Sequence, residues 1–184
     1  MNKESRASEV TICHEGSWLH FCERRLNDRN GAEQRWEFIR RAGTGGACCV
    51  IAHIPGPARR VLCVKQFRPA LARYCIEFPA GLLDSGESFE ACARRELKEE
   101  TGWEGCVLNV DPPIFSSPGM TDEWVVLVHM EATERHAPDH GDLEEIETLE
   151  IPERQLRTRL QEYHDAGCAL DSKLWTWAVG RTMP

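Results

Sequence analysis

With 184 residues, the chain has room for one globular domain, or one domain with a short appendage, and not for two of full size. Its 41% hydrophobic and 28% charged residues match a folded soluble protein and disfavour disorder, collagen-like repeats and membrane-spanning segments. With 30 acidic against 22 basic residues the net charge is −8, which argues against nucleic acid or an anionic membrane as partner, and any anionic substrate would need a cation between itself and the protein.

Residues 1 to 45 are polar and irregular. Trp18 and Trp36 are separated there by the turn-like Asn27-Asp28-Arg29-Asn30-Gly31, and the segment reads as an N-terminal hairpin or small sheet. The start, MNKESRASEV, lacks the apolar core of a secretory signal. The nine cysteines show no C-x-x-C spacing and include the neighbours Cys48 and Cys49. Reduced thiols filling the core are expected, and with them a cytoplasmic protein, the nucleus being a second compartment open to it.

From Ala47 the runs 47–54, 61–67 and 75–78 are short, β-rich and broken by Pro and Gly, which predicts a mixed sheet. A helix follows from Ser88 to Thr101, with Ser88 as its N-cap and Gly102 as the left-handed residue beyond its end. Further strands are expected at 107–110, 124–130 and 146–151, with loops at 116–123 and 132–142. His136 and His140 stand four apart but with Pro138 between them, and read as loop histidines. A last helix, with Pro152 in its first turn, carries Leu156, Leu160 and Tyr163 on one stripe and ends near Gly167.

The central helix carries the chemistry. At about 100° per residue, Phe89, Cys92, Ala93 and Glu100 all fall within about 60° of Glu96, so two carboxylates share the apolar face, with Glu99 about 60° to one side. Buried carboxylates need a compensating cation, and a hard divalent ion held by oxygens supplies one. The alternative is a solvated, salt-bridged face, which most charged runs are. The wider spacing favours the metal: Gly81, Glu87, Arg95, Glu96, Glu99, Glu100 and Gly102 form the pattern of GLLDSGESFEACARRELKEETGW (81–103). That stretch resembles the Nudix box without a departure, and seven fixed residues at about 6% usage each make a chance match rarer than about one in a million.

The resemblance implies an α/β (α+β) protein: a Nudix α/β/α sandwich with a mixed β-sheet over residues 46–184, preceded by a small N-terminal β-sheet segment, 1–45, for dimerisation and base recognition. It implies Mg²⁺ or Mn²⁺ held by Glu96, Glu100, the Ala80 carbonyl and Glu99, the last as a further ligand or a support to the others. Arg95 would orient the carboxylates by pairing with Glu87, and Gly81 would let the chain turn sharply.

Outside the box, VKQFRPALARYCIEFPAGLLDSGE (64–87) and SSPGMTDE (116–123), with Pro118 fifteen residues beyond the box, resemble the ADP-sugar pyrophosphatases. This likeness implies a homodimer in which Trp18 and Trp36 sandwich adenine beside Glu37. Arg68 would touch the diphosphate, with Arg41 secondary to it, and Met120 would line the sugar or base pocket; Phe115 reads as core. The general base would be Glu144, with Asp142 and Glu145 as neighbouring rivals and Glu123 and Glu99 as alternatives.

The function implied is hydrolysis of ADP-ribose and related ADP-sugars to AMP and sugar phosphate, with a small-molecule nucleotide sugar as substrate and neither nucleic acid nor membrane as partner. A UDP-sugar or an oxidised guanine nucleoside diphosphate as substrate, or a non-catalytic ADP-ribose-binding module, are the alternatives.

Overall fold

The structure is a computed structural model that describes residues 8–43, 46–138 and 145–181. The chain divides into two compact units. The first holds the described residues up to Gly46 together with Pro113–Val125, and the second holds Ala47–Pro112 with the described residues from Val126 onward.

In the first unit, β1 (Thr11–Glu15), β2 (Leu19–Asn27) and β3 (Glu33–Arg41) form an antiparallel three-stranded sheet, with Phe21 opposite Ile39 and Arg24 opposite Trp36. The expected turn closes the β2–β3 hairpin: the Asp28 carboxylate accepts from the N–H groups of Asn30 and Ala32, and Gly31 takes a positive φ of 85°. The short strand β9 (Ile114–Phe115) pairs with the first two residues of β10 (Trp124–Arg135), and Ile39 makes a parallel bridge to Thr121. Phe115 is 54% exposed, which corrects its reading as a core residue, because a two-residue strand presents one side to solvent.

The second unit contains the greater part of a mixed sheet with strand order β12-β6-β5-β4-β10-β8. Its strands include β4 (Gly46–Ile54), β5 (Arg60–Arg68), β6 (Arg73–Glu77), β7 (Ala80–Leu82), β8 (Trp103–Val110), β11 (Ile146–Pro152) and β12 (Ala169–Leu170). β11 pairs antiparallel along β5, β7 pairs with the start of β4, and β12 lies parallel to β6. Between Cys48 and Ile54 every residue of β4 is buried. A strand covered on both faces reads as a continuous apolar run rather than an alternating one, and Cys48-Cys49-Val50-Ile51-Ala52 has that character.

Helix α1 (Phe89–Thr101) packs on β8 and β7, while α2 (Leu156–Asp165) and α3 (Ser172–Gly180) pack on each other and against β12, β11 and β6. The caps of α1 are those expected. The Ser88 side chain accepts from the Ala91 N–H, and Gly102, at φ 73°, donates its N–H to the Lys98 carbonyl. A Cβ at Gly102 would also overlap the His136 carbonyl, so packing as well as backbone conformation requires glycine.

Further expectations need correction. β10 continues to Arg135, so residues 132–135, expected in a loop, are strand. Pro152 ends β11 and precedes a 3-10 turn, Glu153–Gln155, so α2 begins only at Leu156. Helix α3 was not anticipated; Asp171 caps it by accepting from the N–H groups of Lys173 and Leu174, and Leu174 and Ala178 are its buried positions. The thiols are not all core: Cys13 and Cys106 are exposed and Cys168 is half-buried.

Candidate active site

The site is built where α1 meets β7. Glu96 and Glu100, one turn apart, are only 7% and 8% exposed, and buried carboxylates demand partners. The Ala80 N–H donates to Glu100 Oε2 at 3.0 Å. Arg95 donates through Nε and Nη2 to the two oxygens of Glu87, at 3.0 and 2.9 Å, and through Nη1 to Glu96 and to Glu99. Its Nη2 also reaches the Leu82 carbonyl at 3.0 Å, which fixes the guanidinium to the end of β7. The pairing of Arg95 with Glu87 is thus present, and a single guanidinium gathers three carboxylates.

A Cβ on Gly81 would overlap the Glu96 carboxylate, and Gly81 is not among the residues with positive φ. Its requirement is space for Glu96 rather than a sharp turn, which corrects the sequence reading. Burial pushes the Glu96 carboxyl above its ordinary range while Arg95 pulls it down. The hydrogen bonds from Arg95 hold Glu87 below that range. Glu99 keeps a 46% exposed side chain at the edge of the group. Arg95 is shared by Glu87, Glu96 and Glu99, with the buried Glu100 beside them, and such a cluster of carboxylate oxygens fits a hard divalent ion.

Arg68 ends β5 and is held bidentate by Glu77, Nε to Oε1 at 2.6 Å and Nη2 to Oε2 at 2.8 Å. This pair raises the Arg68 pKa, and the charge of Glu100 raises it further, so Arg68 stands within the field of the α1 carboxylates.

The remaining substrate candidates belong to the first unit. Trp18 is 76%, Trp36 52% and Met120 60% exposed, so neither tryptophan plugs a core. The segment 117–123 is tied to β3: Trp36 Nε1 donates to the Gly119 carbonyl at 3.2 Å, the Ile39 N–H to the Met120 carbonyl at 2.8 Å, and Arg40 Nε to Asp122 at 2.8 Å. Arg41 pairs with Glu123, which engages that alternative base in an ion pair. Strand alternation places Trp36 and Glu37 on opposite faces of β3.

Glu144 and its rival Asp142 lie outside the described residues. Glu145 accepts a hydrogen bond from the Tyr74 hydroxyl at 2.8 Å. Two groups were not found by reading the sequence. One is Glu77, which the β5–β6 register sets opposite Val64 and which meets Arg68 through the reach of the two long side chains along one face. The other is the cluster of Glu104, Glu134 and His136, whose ligand atoms lie within 4.8 Å of one another; Lys98 Nζ occupies Glu104 at 2.7 Å.

Comparison with known proteins agrees with this geometry. The NUDIX domain model matches residues 46–169. The ADP-sugar pyrophosphatase of Mus musculus is 34% identical over 184 aligned residues, covering 91% of this chain and 83% of that protein. The ADP-ribose pyrophosphatase of Saccharomyces cerevisiae is 30% identical over 190 residues, with 96% and 82% covered, and that of Bacillus subtilis is 33% identical over 147, with 76% and 75% covered. On the strength of the domain match, these likenesses and the carboxylate face of α1, the chain belongs to the Nudix family.

Proposed function

We propose that the protein is a Mg²⁺-dependent hydrolase that splits ADP-ribose and related ADP-sugars into AMP and a sugar phosphate. The observation that carries this reading is the pair Glu96 and Glu100, buried on α1 with Gly81 and the Ala80 N–H fitted against them. The similarity to pyrophosphatases named for ADP-sugars and ADP-ribose supports the substrate class.

A diphosphate resists attack because its oxygens are negatively charged; Glu96, Glu100 and the Ala80 carbonyl would hold a divalent ion, which would neutralise that charge and lower the pKa of a bound water towards neutrality. The protein's own groups then position the reactants. Arg95 orients Glu96 and Glu99 through the Glu87 anchor, and Arg68, steadied by Glu77, presents a guanidinium edge to the diphosphate. Glu144 accepts the proton of the attacking water. Trp18 and Trp36 offer exposed ring faces for adenine, and Arg41 and Met120 complete the nucleotide's surroundings.

The reading includes a homodimer built on residues 1–45, supported by the exposed Ile12, Leu19 and Trp36 of one small sheet and by the exposed Trp18 in the turn between β1 and β2. It also places the protein in the cytoplasm, where nine free thiols stay reduced.

The test is a panel of ADP-, UDP- and GDP-sugars and an oxidised guanine nucleoside diphosphate, each incubated with the protein and Mg²⁺ in ¹⁸O-water, with products followed by mass spectrometry. AMP from ADP-ribose is the expected result. Turnover confined to UDP-sugars or to the guanine nucleotide would refute the substrate, and tight ADP-ribose binding without turnover would make the protein a binding module.

A further inference from the structure

Where α1 meets β4, two thiols face each other. Cys48 and Cys92 are both fully buried. Cys48 Sγ donates to the Phe89 carbonyl at 3.4 Å, one turn before Cys92 on the same helix. Cys92 Sγ donates to the Leu82 carbonyl at 3.6 Å and lies 3.9 Å from the carbonyl of Gly81, the register partner of Cys48 across the β4–β7 pair. Each thiol thus grips the backbone beside the other, which places the two side chains as neighbours between β4, β7 and α1. The neighbouring Cys92 thiol holds the Cys48 thiol below its usual pKa against the opposing effect of burial. Cys49, the next residue on β4, points to the other face, and burial pushes its thiol up.

Cys92 also touches the site already described: Arg95 Nη2 donates to its sulfur at 3.6 Å, and the same nitrogen holds Glu87 and the Leu82 carbonyl. A disulfide needs its sulfurs about 2.05 Å apart, so closing one draws Cys92 towards β4 and away from Leu82, Gly81 and Arg95.

We propose that Cys48 and Cys92 are an oxidation site that a hydroperoxide converts to a disulfide, and that closing this bond loosens Arg95 from the carboxylates it orients. In the first step the Cys48 sulfur attacks the peroxide oxygen, the O–O bond breaks, and the leaving alcohol or water carries off the thiol proton, giving a sulfenic acid. In the second, the Cys92 sulfur attacks Cys48 Sγ, the S–O bond breaks as the S–S bond forms, and hydroxide leaves as water with the Cys92 proton. Two thiols lose two electrons and the hydroperoxide gains them. Access runs through the segment between β7 and α1, where Asp84, Ser85 and Gly86 are exposed and local opening of the β7 edge admits a small peroxide to Cys48 as well as Cys92.

The experiment uses the full chain with Cys13, Cys106 and Cys168 replaced by Ser, so that the more exposed thiols do not compete. The protein is treated with hydrogen peroxide, remaining thiols are alkylated, and peptides are mapped by mass spectrometry, while Mg²⁺-dependent hydrolysis is followed before treatment, after it, and after dithiothreitol. The expected result is a linked Cys48–Cys92 peptide lacking two hydrogens, activity reduced about tenfold or more and recovered on reduction. Cys48→Ala and Cys48→Ser in the same background should form no link and resist the loss; having two variants guards against one that folds poorly. Absence of the linked peptide, a link without loss of activity, or equal loss in both Cys48 variants would overturn the proposal. The linked peptide is read without substrate, so failure of the proposed reaction remains distinguishable from failure of the disulfide.

Discussion

Glu96 sits where it does because residue 81 has no side chain, and this local fact has a measurable consequence. Gly81→Ala places a methyl group where the Glu96 carboxylate lies, and displacement of a metal-binding group by about 1 Å is expected to lower kcat about 10²-fold with an unchanged far-UV circular dichroism spectrum. A fall of less than about threefold would show that Glu96 has room to move. His53 supplies a second test. Its ring is 5% exposed, packs 5.6 Å from Trp177, and its Nε2 makes no hydrogen bond, so burial depresses its pKa from 6.5 to about 4, with Arg59 adding to the shift and Glu153 opposing it. Arg181 and His129 add smaller downward effects. Because the unfolded chain takes up this proton first, stability falls as pH drops from about 6.5 towards 4, by about 3 kcal/mol at most. Urea denaturation across that range should show a shallower loss in His53→Gln than in the parent protein. At this scale the sequence is readable where the period of one helix decides the outcome, as it does for Glu96 and Glu100. It is silent where separate elements must first come together, which is why the Glu77 clamp on Arg68, between residues not directly opposite in the β5–β6 pair, and the approach of Cys48 to α1 emerge only in three dimensions.

Among the elements, α1 was legible almost to the residue because both of its ends carry strong signals: a serine that caps and a glycine that alone tolerates the left-handed turn. The end of α1 is also a junction. The His136 N–H donates to the Gly102 carbonyl at 2.7 Å and Thr148 Oγ1 to the Glu100 carbonyl at 3.2 Å, so β10 and β11 are both fastened to the last turn of the helix that carries the acids. Gly102→Ala combines a φ of 73° with a Cβ overlapping the His136 carbonyl. It is expected to cost more than about 1 kcal/mol in urea denaturation, whereas a loss within experimental error would mean the junction yields freely. Helix α3 was missed for the opposite reason. Its sequence, SKLWTWAVG, is short and apolar, with two tryptophans and no charged stripe, so periodicity cannot separate it from a strand; only the Asp171 cap marks it. Pro152 misled because the same residue type begins helices and ends strands, and pairing with Arg60 of β5 decided between the two.

Across the whole molecule, the net charge of −8 first appears ill-suited to a phosphate-bearing substrate. Four of the acids responsible, Glu87, Glu96, Glu99 and Glu100, belong to a group whose proposed working form includes a divalent ion, so the substrate meets a weaker negative field than the composition implies. The family was legible because its signature is a run of local spacings; the grouping of Pro113–Val125 with the N-terminal residues was not, since it depends on contacts far apart in the chain. If the exposed apolar residues of the first sheet meet a second copy, sedimentation equilibrium should give twice the monomer mass, and Trp18→Ala should raise KM for ADP-ribose by about tenfold or more, in line with the loss of one base-stacking ring. A monomeric mass at micromolar concentration would remove the dimer from the account. The most direct test of the central claim is the rate of AMP formation from ADP-ribose, with saturating Mg²⁺, by the parent protein and by Glu100→Gln. The account predicts rapid turnover by the parent and a loss of about 10²-fold or more in the variant; equal rates in the two would contradict it.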